Sequence, residues 1–238
     1  MAAGAATLLP GLLEPSLAAR CLDALERRYA DPATRGSDGF SVASSSMRLD
    51  SVPALRGFDL LSTVFDGPLA ALCRRELGTG IACVVDECWA RRQYPLTAYP
   101  CGHAAHSWHQ DGALGFDFLA LGDASVPSDA LLPMVTCWIA LTPCGDDAPG
   151  LELAGPSGRD LLPPDALTEG RIRAAHDAKD CHRPVLAAGD ALVFSGDLLH
   201  RTHVTHTMTR PRTSIEMRFV ASARLGDRLR GRQLLALH

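Results

Sequence analysis

From Gly80 onward the chain breaks into short β-forming runs separated by turn chemistry, and nothing else in its 238 residues restricts the fold as much. "IACVVDECWARRQY", "MVTCWIAL", "LELAG", "PVLAAGDALVFSG", "LLHRTHVTH" and "RTSIEMRFV" read as strands, bounded by glycine, proline, serine and aspartate. Gly189-Asp190, Ser195-Gly196-Asp197 and Met208–Pro211 supply the turns between the last three. Strands joined this closely pair antiparallel, because a parallel pair needs a long crossover. The upstream texture differs. "EPSLAARCLDALERRYA" (14–30) spaces its apolar residues as a helix does, with Pro15 and Ser16 at its start. "FDGPLAALCRREL" predicts a second helix, with Asp66 as cap and Pro68 near the first turn. "RRYADPATRGSDGFSVASSS" is partly helix end and partly polar loop.

Helices first and many short strands afterwards predict a mainly β fold, a sandwich or barrel with helices packed outside. No repeat or linker interrupts the sequence, so one domain is expected over 1–238, helical to about residue 79 and barrel over about 80–222. "PPDALTEGRIRAAHDA" (163–178) predicts one helix inside the strand series. "ARLGDRLRGRQLLALH" is expected to close the chain as a short helix.

Composition removes several function classes. A net charge of −4 gives no electrostatic reason to bind nucleic acid or an anionic membrane. The longest apolar stretch, "ALLPMVTCWIALTPCG", is too short for a membrane span and holds two prolines. The N-terminus has no basic region ahead of its apolar residues, so a secretory leader is not expected. Eight scattered cysteines form no CxxC pair and read as small buried hydrophobes in a reducing compartment. A soluble, cytoplasmic protein is therefore expected. Its single lysine among 23 basic residues, with its alanine richness, reads as the coding bias of a bacterium.

"SWHQDGALGF" (107–116) carries the first chemical signal. Pro100, Gly102 and Gly112 exclude a helix there, so His109 and Asp111 point to one side of an extended segment, roughly 6.7 Å apart at Cα. A non-heme Fe(II) oxygenase needs two imidazoles and one carboxylate on one face, with open positions left over. The second imidazole must come from another strand, and "GDALVFSGDLLHRTHVTH" offers His200. Parity puts His203 on the opposite face and His206 roughly 20 Å along a straight strand. His103 and His106 precede His109 at intervals that scatter across both faces and read as loop residues. In "RPRTSIEMRFV", Arg212, Ser214, Glu216 and Arg218 share one face, and Thr213, Ile215, Met217 and Phe219 the other. The apolar face would pack on helices while the polar one lines the barrel. Arg212 and Ser214 together suit a carboxylate: a planar fork beside a hydroxyl.

"WHQD", "MVTCWIALTPC", "APGLELAGPS", "GDALVFSGDLLHRTHV" and "RPRTSIEMRF", in this order, resemble the phytanoyl-CoA dioxygenase-like family of Fe(II)/2-oxoglutarate oxygenases. "TLLPGLLEPSLAARCLDAL" is similar to that family's opening helix. The resemblance implies a double-stranded β-helix, the jelly roll or cupin-like barrel. It further implies Fe(II) held by His109, Asp111 and His200, and 2-oxoglutarate anchored by Arg212 with Ser214 beside it. O2 and a small-molecule substrate complete the expected set of reactants. Arg210 competes with Arg212, because the latter falls 12 residues after His200, about one more than the family pattern. The family's Pro-Gly-Ser-His stretch stands here as "AGPSGR". Halogenases of this kind lack the carboxylate ligand, so Asp111 implies hydroxylation, or a variant such as desaturation or ring formation.

For the substrate side, Arg92 in "ARRQY" is the candidate contact to a polar or anionic group, against a solvated arginine cluster. "GDASVPSDALLP" (122–133) has the length and polarity of a lid. Trp108 and Trp138 either shape the pocket or simply pack. A cupin-type metalloenzyme or binding protein without 2-oxoglutarate is the competing reading, carried by the histidine runs at 103–109 and 200–206.

Overall fold

The computed structural model describes residues 6–30, 44–56, 58–98, 107–113, 131–155, 160–225, 229 and 231–237. In chain order the elements are β1 (Ala6–Leu9), α1 (Pro15–Ala30), β2 (Ser44–Arg48), α2 (Pro53–Arg56), α3 (Leu60–Val64), α4 (Gly67–Leu77), β3 (Ile81–Val84), β4 (Trp89–Gln93), β5 (Met134–Ala140) and β6 (Gly150–Ala154), followed by α5 (Glu169–Ala175), β7 (Cys181–His182), β8 (Ala191–Ser195), β9 (Leu199–His203), β10 (Arg212–Ala221) and β11 (Leu234–Ala236). Helix α1 buries Leu17, Ala18, Cys21, Ala24, Leu25 and Tyr29 along one stripe. Helix α4 starts where expected, with the Asp66 carboxylate accepting from the Gly67 amide at 2.7 Å.

All strand pairs are antiparallel, and they form the two layers of a jelly roll. The larger sheet runs β1-β8-β5-β10-β3-β11, and β4 joins it beside β10 and carries β2 on its outer edge. The smaller sheet is β7-β6-β9. Strand β10 is the axis of the larger sheet and obeys its sequence alternation. Ile215, Met217 and Phe219 enter the core under the helices, along with Val135, Cys137 and Ile139 of β5. The other face looks toward the smaller sheet, where Trp138, Ala140, Leu192 and Phe194 pack on Leu151 and Leu153. The polar β10 residues therefore sit between the layers, walled by apolar side chains.

Three expectations about elements are corrected. The 163–178 helix is confined to α5, because Pro163 and Pro164 hold the preceding residues in turns. The closing helix is instead β11, whose residues take the free edge of β3 after Gly231 turns with φ 82°. Ser44–Ser46, read as loop, lie in β2, where pairing to β4 overrides the weak strand preference of serine. Helix α1 begins at Pro15, where Pro15 and Ser16 mark its start in the sequence, and residues 6–9 ahead of it pair with β8. No described helix is long and apolar enough to cross a membrane.

Candidate metal centre

His109 and His200 are brought together by backbone before their side chains are considered. The His109 amide donates to the His200 carbonyl at 3.0 Å and the His200 amide to the His109 carbonyl at 3.1 Å. The two residues thus form a hydrogen-bonded antiparallel pair on the open edge of β9. Asp111 follows in a 3-10 turn (Asp111–Ala113) that is seated on the turn between β8 and β9. Gly112 and Gly196 meet there. The Gly112 amide donates to the Gly196 carbonyl at 2.8 Å, and a Cβ on Gly196 would lie 3.0 Å from the Gly112 Cα. A side chain on Gly196 would crowd that approach, which carries Asp111 toward His200. Gln110, between the two candidate ligands, ties the segment down. Its amide nitrogen donates to the carbonyls of Asp160 and Asp197, and its oxygen accepts from the Leu162 amide.

The ligand atoms converge. One donor atom from each of His109, Asp111 and His200 lies within 4.8 Å of the others. The Asp111 Oδ1 is 3.8 Å from both imidazole Nε2 atoms. Each Nδ1 faces a carbonyl, that of Ser107 at 2.7 Å for His109 and that of Leu198 at 3.0 Å for His200. A carbonyl only accepts, so each Nδ1 carries the proton and each Nε2 presents its lone pair to the common point. His200 is held against the Phe194 ring with centroids 4.8 Å apart. The Asp111 and His200 side chains are only 5% and 6% exposed, whereas that of His109 is 28% exposed and marks the open side.

Burial works against an ionised Asp111, yet its carboxyl is held well below the usual carboxylate range. The Arg218 guanidinium first, the two imidazoles when protonated, and the Thr136 hydroxyl more than offset the desolvation. Thr136 donates to Oδ2 at 2.6 Å, and Arg218 donates to Oδ1 at 3.2 Å. A hard, ionised carboxylate beside two neutral imidazoles is the donor set of a divalent transition-metal site with open positions.

The centre opens into a cavity of about 340 Å³ between the sheets. Arg212 lines the same cavity as the three ligands, with Trp138, Leu151, Phe194 and Thr202 among its other walls. Arg212 is 1% exposed, and its guanidinium lies over the Trp138 ring, 4.9 Å from the centroid. Its Nη1 donates to the Ser214 hydroxyl at 2.7 Å, while its Nε has no partner among the described residues. Burial pushes its pKa down to about 10, so it remains charged at neutral pH. A buried cation stacked on an aromatic ring, with a hydroxyl as its hydrogen-bond partner, is costly unless an anion joins it. The pair therefore fits the carboxylate of a small diacid.

Arg210 is exposed in the turn before β10, its amide donating to the Asp147 carbonyl, whereas Arg212 lines the cavity. Arg92 does not reach the cavity. It pairs with Glu26 of α1 at 2.6 Å and lies over Tyr29 and Tyr94, on the helix side of β4. Strand parity turns Arg91 inward instead, where it pairs with Glu216 at 3.1 Å. Trp138 lines the cavity, whereas Trp108 is buried outside it, donating to Glu169 at 2.7 Å. His203 and His206 are not among the converging groups. His103, His106, residues 122–130 of the expected lid and residues 156–159 lie outside the described residues. Sequence reading passed over Thr136, Gln110 and Arg91. Thr136 had a signal: it is the one hydroxyl on the Thr136, Trp138, Ala140 face of an apolar strand.

Comparison with known proteins agrees with this fold. Residues 6–214 match the phytanoyl-CoA dioxygenase family. No curated protein matches the sequence. Among solved structures, iron-bound EctD from S. alaskensis superposes with a TM-score of 0.65 at 16% identity, covering 94% of this chain and 74% of that one. HygX from Streptomyces hygroscopicus, solved with nickel and 2-oxoglutarate, gives 0.59 at 16% identity, with 93% and 84% covered. SnoN, a non-heme alpha ketoglutarate dependent epimerase from nogalamycin biosynthesis, gives 0.60 at 16% identity, with 93% and 79% covered. At these identities the likeness establishes the shared fold.

Proposed function

The chain belongs to the phytanoyl-CoA dioxygenase family, and from that premise we propose that it is a non-heme Fe(II)- and 2-oxoglutarate-dependent dioxygenase that hydroxylates a small molecule. The observation that carries this reading is the meeting of His109, Asp111 and His200 at one point of a cavity that also contains the buried, under-partnered Arg212. His109 and His200 would offer Nε2 and Asp111 one carboxylate oxygen to the metal. Arg212 and Ser214 would take the far carboxylate of 2-oxoglutarate, with Trp138 and Phe194 excluding water along its length. When bound, iron and 2-oxoglutarate reduce O2 with release of succinate and CO2, and so supply the oxidant for the substrate.

The protein's own contribution is placement. Fixed Nδ1 protons keep both imidazoles in the metal-binding tautomer, and the Gly112–Gly196 contact sets the carboxylate against them. The HygX structure with nickel and 2-oxoglutarate bound, and the alpha ketoglutarate dependence of SnoN, support the cofactor assignment. The seven described cysteines are all free, which supports a reducing, cytoplasmic setting. A cupin chemistry with three or four histidine ligands is disfavoured by the positions of His203 and His206.

The test is an anaerobic titration of metal-free protein with Fe(II) and then 2-oxoglutarate. A weak visible charge-transfer band is expected from the chelate, and succinate on admission of air. Metal binding with neither band nor succinate would overturn the assignment.

A further inference from the structure

We propose that Arg218 is a positioning residue for Asp111, fixing its carboxylate so that a single oxygen faces the metal. The inference rests on the reading of His109, Asp111 and His200 as a metal site. It begins with an irregularity in the larger sheet. Opposite β10, Glu216 pairs with Trp89 and Phe219 with Cys83, so Met217 and Arg218 face the five residues 84–88. The excess forms a 3-10 turn, Val85–Glu87, a bulge that takes the Glu87 carbonyl out of the ladder. That carbonyl accepts from Arg218 Nη1 at 2.7 Å.

The other arm of the guanidinium, Nη2, reaches Asp111 Oδ1 at 3.2 Å and Glu216 Oε2 at 3.4 Å. Glu216 is held from its far oxygen by Arg91. Arg218 is thus gripped on both arms, in a way a lysine ammonium cannot reproduce, since it has no planar fork.

The consequence falls on Asp111. Thr136 occupies Oδ2 and Arg218 one side of Oδ1, which leaves the side of Oδ1 facing the two Nε2 atoms. Rotation toward two-oxygen coordination would break both bonds, so one oxygen is presented and more positions stay open for co-substrate and O2. An arginine beside a ligand also repels a dication, and the two effects compete. Here the cation is balanced beforehand: Arg91 and Arg218 stand against Glu216 and Asp111, a local sum of zero. Orientation therefore dominates, and losing such an outer partner typically weakens metal binding about 10–100-fold.

The experiment is Mn(II) affinity of the metal-free protein without co-substrate, read by the EPR signal of free Mn(II), for wild type, R218M and R218K. Apo melting temperatures are taken in parallel. R218M should bind Mn(II) about 10–100-fold more weakly, and R218K should recover part of the loss. Equal or tighter binding by R218M, or R218K no better than R218M, overturns the proposal. Should R218M fail to fold, R218K decides alone, a several-fold weakening with an apo melting temperature near wild type being expected and unchanged affinity refuting it. If wild type itself binds no Mn(II), the metal-site reading fails first; if wild type binds and the variants bind equally, only the role of Arg218 fails.

Discussion

Replacing Arg212 by methionine should separate co-substrate binding from metal binding. The guanidinium is buried over Trp138, with Ser214 as its neighbour and Nε without a partner among the described residues. A fork–carboxylate contact supplies two charge-assisted hydrogen bonds of about 1.5–3 kcal/mol each. Losing about 3–4 kcal/mol of that raises the 2-oxoglutarate Kd by roughly 10²–10³. At 100 times the wild-type Kd, ligand stabilises the metal-loaded protein by about 2.7 kcal/mol, which is roughly 5–10 °C in melting temperature for a chain of this size. The same concentration should give R212M about 0.4 kcal/mol or less, close to 1 °C. Methionine breaks no ion pair, so the ligand-free R212M protein should melt no lower than wild type, and its Mn(II) affinity should be unchanged. Thermal melts with Mn(II), with and without 2-oxoglutarate, read all of this. A full ligand-induced shift in R212M would refute the reasoning, and its loss in R210A instead would move the anchor to Arg210.

Other outcomes follow from the same geometry. Thr136→Val keeps the volume but removes the hydroxyl on Asp111 Oδ2; Mn(II) affinity by EPR should fall about tenfold, and no change would free Thr136 of any role. Among the arginines of β4, R92A should leave succinate formation in air unchanged while lowering stability, because it breaks the contact to α1. R91A should instead alter turnover once a substrate is known, and kinetics on both variants would show the reverse if the strand faced the other way. Glu152 is fully buried under Arg173, Arg183 and Arg201, and although burial opposes its ionisation these arginines bring its pKa down to about 2. Its folded value lies below the unfolded one of 4.5, so its stabilisation is present above about pH 4.5 and lost as pH falls toward 2. Urea melts across that window should show an acid-side loss on the order of 3 kcal/mol in wild type and a flatter limb in E152Q.

How much of this was legible in the sequence depended on how local the cause was. The alternation of β10 was readable because one face of that strand packs on helices and the other lines the cavity, and the residues record it. The pairing of His109 with His200 was readable only as a requirement, since nothing in "WHQD" tells which strand edge it joins. Arg91 and Arg92 show where parity fails without a reference. They are neighbours of one type, and only the register to Ser214 and Thr213 says which turns inward. The role of Arg218 was hidden for a different reason: its grip depends on a bulge in another strand, and a three-residue irregularity has no periodic signature. The terminal strand β11 was missed because its partner edge on β3 is a tertiary feature, absent from the propensities of "LLA".

The most direct measurement is an anaerobic crystal structure with Mn(II) and 2-oxoglutarate, with the metal located by its anomalous scattering. One peak is expected, within coordination distance of His109 Nε2, Asp111 Oδ1 and His200 Nε2, with the far carboxylate of the diacid on Arg212. A metal bound elsewhere, or coordinated through His203 or His206 in place of Asp111, would contradict the account.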